Sequence, residues 1–108
     1  MPITVSPDLD VLGRVGAALS DSTRRRILLR LLEGPVYPAD LADALSSSRS
    51  NISNHLACLR GCGLVVGARE GRQVRYQLAD GRLGYALRTL TGLELPTDRC
   101  AAHLEPAE

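Results

Sequence analysis

Three cysteines are the side chains of this sequence best equipped for chemistry. Cys58 and Cys62 sit four residues apart in a stretch with helical periodicity, and Cys100 lies near the C-terminal end. On a helix, side chains at i and i+4 stack on one face with their Cβ atoms about 6 Å apart. A disulfide needs Cβ atoms about 3.5 to 4.5 Å apart, whereas two thiolates converging on one large soft ion reach it from neighbouring turns. A third thiolate from Cys100 makes a trigonal sulfur set suited to Cd(II) or Pb(II). As(III) is chemically close, while Zn(II) generally takes a fourth ligand. His103, three residues beyond Cys100, is the candidate for that fourth place, set against its reading as a solvated histidine. The other readings of the thiols are a redox sensor, a metal-sequestering site and a small buried hydrophobe.

The pair depends on a helix over about residues 49 to 62, ended by Gly63. At about 100° per residue, Ile52, Leu56 and Leu59 form its core stripe, and the two cysteines fall about 80° to 120° away on one flank. Ser50, Ser53 and Asn54 point away from the stripe near the N-terminal end, where a recognition helix meets base edges and phosphates. Ser48, Arg49 and Asn51 open the same helix and join them as DNA-contact candidates. His55 reads as a packing or DNA-proximal residue in preference to a metal ligand.

Upstream, Pro38 starts a short helix that buries Leu41 and Leu45, and Ser46-Ser47-Ser48 makes a polar turn. A short helix, a tight turn and a second helix form the helix-turn-helix pattern. Before it, Asp21 caps a helix carrying Ile27, Leu28, Leu31 and Leu32, which stops at Gly34-Pro35. The first helix carries Leu9, Leu12, Val15 and Leu19, and Gly13 and Gly16 allow close approach by another helix, as in a dimer.

After the recognition helix, residues 64 to 68 and 73 to 78 read as two strands around Arg69-Glu70-Gly71-Arg72. Val74, Tyr76 and Leu78 face inward and Arg75 outward. This hairpin is a wing whose arginines, Arg69, Arg72 and Arg75, can lie on phosphate or reach into a minor groove. A last helix over about residues 81 to 93 is expected to bury Leu83, Ala86, Leu87 and Leu90 and to pair with the first helix across a dimer. The expected fold is mainly α with a small β-hairpin: a winged helix-turn-helix dimerised through its first and last helices. Residues 1–92 form that domain, and residues 93–108 a metal-ligand tail.

Composition agrees. A chain of 108 residues is one domain with a small core, which favours a partner subunit. All thirteen basic side chains are arginine. Residues 46–77 hold five of them against Glu70 alone, a local net of +4, whereas residues 92–108 carry −3. A basic middle is a phosphate footprint. With Tyr37, Tyr76 and Tyr85 as the only aromatic side chains, little can stack on unpaired bases, so duplex DNA is favoured over RNA. No apolar run is long enough to span a membrane, and the N-terminus lacks signal-peptide features, so a cytoplasmic location with reduced cysteines is expected. No catalytic constellation or phosphate-binding loop is present, so the chain is not expected to be an enzyme.

The order of elements, with the runs ALSDSTRRRILLRLLEG and SRSNISNHLACLRGCGLVVGAREGRQVRYQLAD, resembles the ArsR/SmtB family of metal-sensing repressors over about residues 9 to 92. Within it, NHLACLRGCGLV with a third cysteine in the tail is similar to the CmtR-type cadmium and lead sensors. The resemblance implies a homodimer on an inverted-repeat operator, released when metal binds. Ser22 departs from the proline that many members carry after the capping aspartate. Many members place a cysteine pair in the first helix of the helix-turn-helix, but YPADLADAL has none. Others bind metal through histidine and acidic residues on the last helix, and GRLGYALRTLTG has neither. Against the family pattern, Cys58, Cys62 and Cys100 are the remaining ligand set.

Overall fold

The computed structural model describes residues 6–96. Its elements follow in the order α1 (Pro7–Leu19), α2 (Ser22–Leu31), α3 (Pro38–Ala44), α4 (Arg49–Gly61), β1 (Val65–Glu70), β2 (Gln73–Leu78) and α5 (Gly81–Thr91). Local chemistry explains where the helices start. Ser6, Asp21, Ser48 and Asp80 each accept a hydrogen bond from a backbone N–H of the first turn, and α3 starts with Pro38 at its first position.

The two helices of the helix-turn-helix end in the same way. After α3, Ser46 takes φ 51°, and the N–H groups of Ser47 and Ser46 donate to the carbonyls of Ala42 (2.9 Å) and Asp43 (3.3 Å). After α4, Gly63 takes φ 79°, and Leu64 and Gly63 donate to Leu59 and Arg60, both at 3.0 Å. Each is a left-handed cap that closes the last turn and reverses the chain. The first makes the tight turn into α4, and the second sends the chain into the wing. Cys62 is the C-cap residue of α4, one position beyond the helix in which the spacing placed it.

The core gathers Ile27, Leu28 and Leu31 of α2, Leu41 of α3, Ile52, Leu56 and Leu59 of α4, and Val65 of β1. The hairpin is antiparallel with Val65 opposite Leu78 and Glu70 opposite Gln73, so Arg69 and Glu70 belong to β1 and the turn is only Gly71 and Arg72. Gly71 supplies the positive φ (62°) that a two-residue turn needs at its first position. Val36 bonds to the free edge of β2, its N–H and C=O exchanging hydrogen bonds with Tyr76 at 2.9 and 2.8 Å.

The last helix departs from the expected burial, while the first leaves open the face expected to meet another helix. Leu87 and Gly84 of α5 are buried and Leu83 half-buried, but Ala86 and Leu90 are exposed. On α1 only Ala18 is buried, while Leu9 and Leu12 are 65% and 67% exposed. Helical periodicity reports that a face is apolar, and not whether the same chain covers it. Between α1 and α5 lies an apolar groove of about 580 Å³ lined by Val11, Leu12, Leu83, Leu87 and Leu90, with Cys62 in its wall.

Candidate nucleic-acid interface and thiolate site

The N-terminal half of α4 divides its polar residues between two jobs. The Ser48 hydroxyl caps the helix by accepting from Asn51 N–H (3.0 Å), and the Asn51 amide donates to Ser47 Oγ (2.9 Å). Arg49, Ser50, Ser53 and Asn54 are exposed, so they are the side chains free to meet a duplex. The helix is seated from behind. His55 Nδ1 lies 3.8 Å from Asp21 Oδ2, and the same carboxylate accepts the Arg24 N–H at 2.9 Å. That backbone hydrogen bond, helped by His55 and opposed by partial burial, holds the Asp21 carboxyl below its usual range.

The wing's three candidate arginines are not equivalent. Side chains directly opposite across a hairpin share a face. Arg69, opposite Val74, is therefore on the face of Tyr76 and Leu78, while Arg75, opposite Ala68, is on the other. Arg75 Nη2 meets Glu70 Oε2 at 3.1 Å, and the Tyr37 hydroxyl donates to Glu70 Oε1 at 2.6 Å. This hydrogen bond raises the phenol's pKa. Arg69 and Arg72 are exposed and carry no side-chain partner among the described residues.

The thiols sit at the other end of α4. Cys58 is exposed, and Cys62 is half-buried against the core. The Cys62 N–H donates to the Cys58 carbonyl at 3.0 Å, so the i,i+4 relation survives although Cys62 is the cap. The Cys62 carbonyl accepts from Arg14 Nη1 of α1 at 3.5 Å, and Asp10 holds Arg14 at 2.9 Å. Cys100 and His103 lie outside the described residues. Among the described residues no group of three or more His, Cys, Asp or Glu stands together as a metal cage. Two thiols on one helix flank fit a soft ion by donor type and need a further donor.

Residues 21–66, from the cap of α2 into β1, match the arsR family of bacterial regulatory proteins. The chain is also 59% identical over 87 residues to the HTH-type transcriptional regulator CmtR of Mycobacterium tuberculosis, covering 81% of this chain and 74% of that protein. This chain belongs to the ArsR family. The solved NMR structure of the cadmium metal-sensor CmtR from Mycobacterium tuberculosis is similar at 58% identity and TM-score 0.66, over 82% of this chain and 93% of that one. A homodimeric winged helix-turn-helix DNA-binding domain from Mycobacterium bovis, of a possible ArsR-family regulator, matches at TM-score 0.73 and 28% identity, over 84% of this chain and 87% of that one. The chain is a winged helix-turn-helix transcriptional regulator, and the family match runs from the cap of α2 through the helix-turn-helix into the first strand of the wing.

Sequence reasoning missed Tyr37 and Glu70. A lone glutamate among arginines carries no pairing signal until the turn is fixed at Gly71 and Arg72, and only that register sets it diagonally across from Arg75.

Proposed function

We propose that the chain is a repressor that binds an inverted-repeat operator as a homodimer and releases it when Cd(II) or Pb(II) is held by Cys58, Cys62 and Cys100. The observation that carries this reading is the placement of the thiol pair. It is off the DNA-facing half of α4 yet on the same rigid helix, at a cap whose carbonyl faces α1 and whose side chain borders the α1/α5 groove. An ion there acts on α4 and on the dimer helices together. The similar protein from Mycobacterium tuberculosis is a cadmium metal-sensor, which supports the choice of ion. Exposed Leu9, Leu12 and Leu90 supply the apolar surface for a second copy.

On the DNA, Asn54, Ser50 and Ser53 meet base edges, while Arg49, Arg69 and Arg72 take phosphate. Ser48 and Asn51 hold the start of the helix in place for them. The test is a Cd(II) titration of the reduced protein on its own promoter duplex, reading thiolate-to-metal absorption and DNA anisotropy together. Both signals are expected to move at the same equivalence. Metal uptake with the DNA still bound, or release only on adding an oxidant, overturns the reading.

A further inference from the structure

Residues 46–77 hold five arginines and one carboxylate, Glu70, and that carboxylate stands at the end of β1 beside the wing's turn. Its position is fixed from two sides. Tyr37 donates to one oxygen at 2.6 Å, and Arg75 meets the other at 3.1 Å. The backbone beside Tyr37 is anchored, because the neighbouring Val36 is bonded in both directions to Tyr76 of β2. A neutral hydroxyl is the important choice at this place. It orients the carboxylate without bringing a positive charge to it, so Glu70 still faces Arg75 as an anion.

An ion pair as exposed as this one, with side chains 45% and 39% accessible, adds little to folding stability. Its effect appears when a competing anion arrives. A carboxylate presents two oxygens to a guanidinium much as a phosphate does. Arg69 and Arg72, with no side-chain partner among the described residues, can meet phosphate directly, whereas Arg75 must exchange one anion for another.

We propose that Glu70 is a built-in competitor for DNA phosphate, occupying Arg75 and holding down the affinity of the wing for any duplex. This rests on the reading of the wing as a phosphate-contacting element. It acts on binding strength and not on sequence choice, keeping the repressor within reach of release.

The test uses the full chain, its own promoter duplex and a scrambled duplex. Glu70→Gln keeps the shape and removes the charge, and at an exposed position the unfolding midpoint is expected to stay unchanged. It should tighten both duplexes by the same factor and steepen the slope of log affinity against log salt by about 0.9 for each wing engaged. With one added contact, the gain at 50 mM salt should exceed that at 200 mM about threefold. In an Arg75→Gln background the gain should vanish. Unchanged or weaker binding by Glu70→Gln overturns the proposal, since Glu70 would then be a brace. A gain that persists without Arg75 overturns it too, since plain charge removal would explain it. Tightening on the promoter duplex alone assigns Glu70 to base reading and equally overturns it. Arg69→Gln with Arg72→Gln serves as the separate control. If that pair leaves affinity untouched, the wing reading itself fails; if it weakens binding while Glu70→Gln is silent, only the present proposal fails.

Discussion

The hydrogen bond from Cys62 N–H to the Cys58 carbonyl keeps the two thiols at helical spacing, which leaves their Cβ atoms about 6 Å apart. Closing a bridge would require Cys62 to leave the cap, and with it the Gly63 turn that starts the wing. Mild oxidation of the metal-free protein is therefore expected to form little Cys58 to Cys62 disulfide by mass spectrometry. A rapid stoichiometric bridge that abolishes DNA binding would make the chain a redox sensor instead. A second residue sets a pH limit. Asp80 caps α5, and side-chain and backbone hydrogen bonds from Arg82 lower its pKa from 3.8 to about 2. The folded value lies below the unfolded one, so this contribution is complete above about pH 4 and is lost as pH falls toward 2. Between those limits the unfolding midpoint of the parent should fall more steeply than that of Asp80→Asn. Asp21 and Gly63 act through a neighbour three residues away or through their own φ, which is why that cap and that stop were legible in sequence, whereas the Ser48 and Asp80 caps emerged only in the structure. The contact of His55 with Asp21 spans two helices and is not legible there.

Between elements, arginines tie helix ends together. Carbonyls of the last turn of α1 accept from Arg24 (Ala18 at 3.2 Å, Ala17 at 3.0 Å) and from Arg25 (Leu19 at 2.8 Å). Arg88 reaches the C-cap carbonyl of α2 at 2.6 Å, Arg26 that of α3 at 3.1 Å, and Arg14 that of α4. Each places a cation where a helix ends in unpaired carbonyls and partial negative charge. The run Arg24-Arg25-Arg26, which charge counting would assign to phosphate, thus spends much of its donor capacity inside the protomer. The fork geometry matters, because Arg24 spans two successive carbonyls, a task a single ammonium performs less well. Arg24→Met should cost about 1 to 2 kcal/mol in urea unfolding, and Arg24→Lys should recover only part of it. A loss under about 0.3 kcal/mol would show that water replaces the guanidinium freely. No local pattern betrays these contacts, since their acceptors lie 6 to 56 residues away and arginine suits surface and cap alike. The order of the elements, by contrast, was readable, because caps, periodicity and turn glycines all act within a few residues.

For the whole molecule, the uncovered faces of α1 and α5 and the thiol in the wall between them belong to one question: which chain would complete the proposed metal site. Leu12 is 67% exposed in the protomer, so Leu12→Glu should leave the fold intact while giving a monomer by sedimentation. Operator affinity should then drop by about a hundredfold or more through loss of two-site binding. Cys62 borders the groove that a second copy would fill, so the proposed site would lie where chains meet. Cys100 from the partner subunit is then the expected third ligand. Mixed dimers decide it. One chain carries Cys58→Ser and Cys62→Ser, the other Cys100→Ser, and the two are purified together through different tags. Supplied across the interface, Cys100 of the first chain completes the pair on the second, so each mixed dimer should bind one Cd(II) tightly where the parent dimer binds two. If Cys100 serves its own chain, the mixed dimer has no complete site. It then shows only the weak binding of the Cys100→Ser homodimer, with little release of operator DNA, because a pair on one helix holds metal without a tail to move that helix.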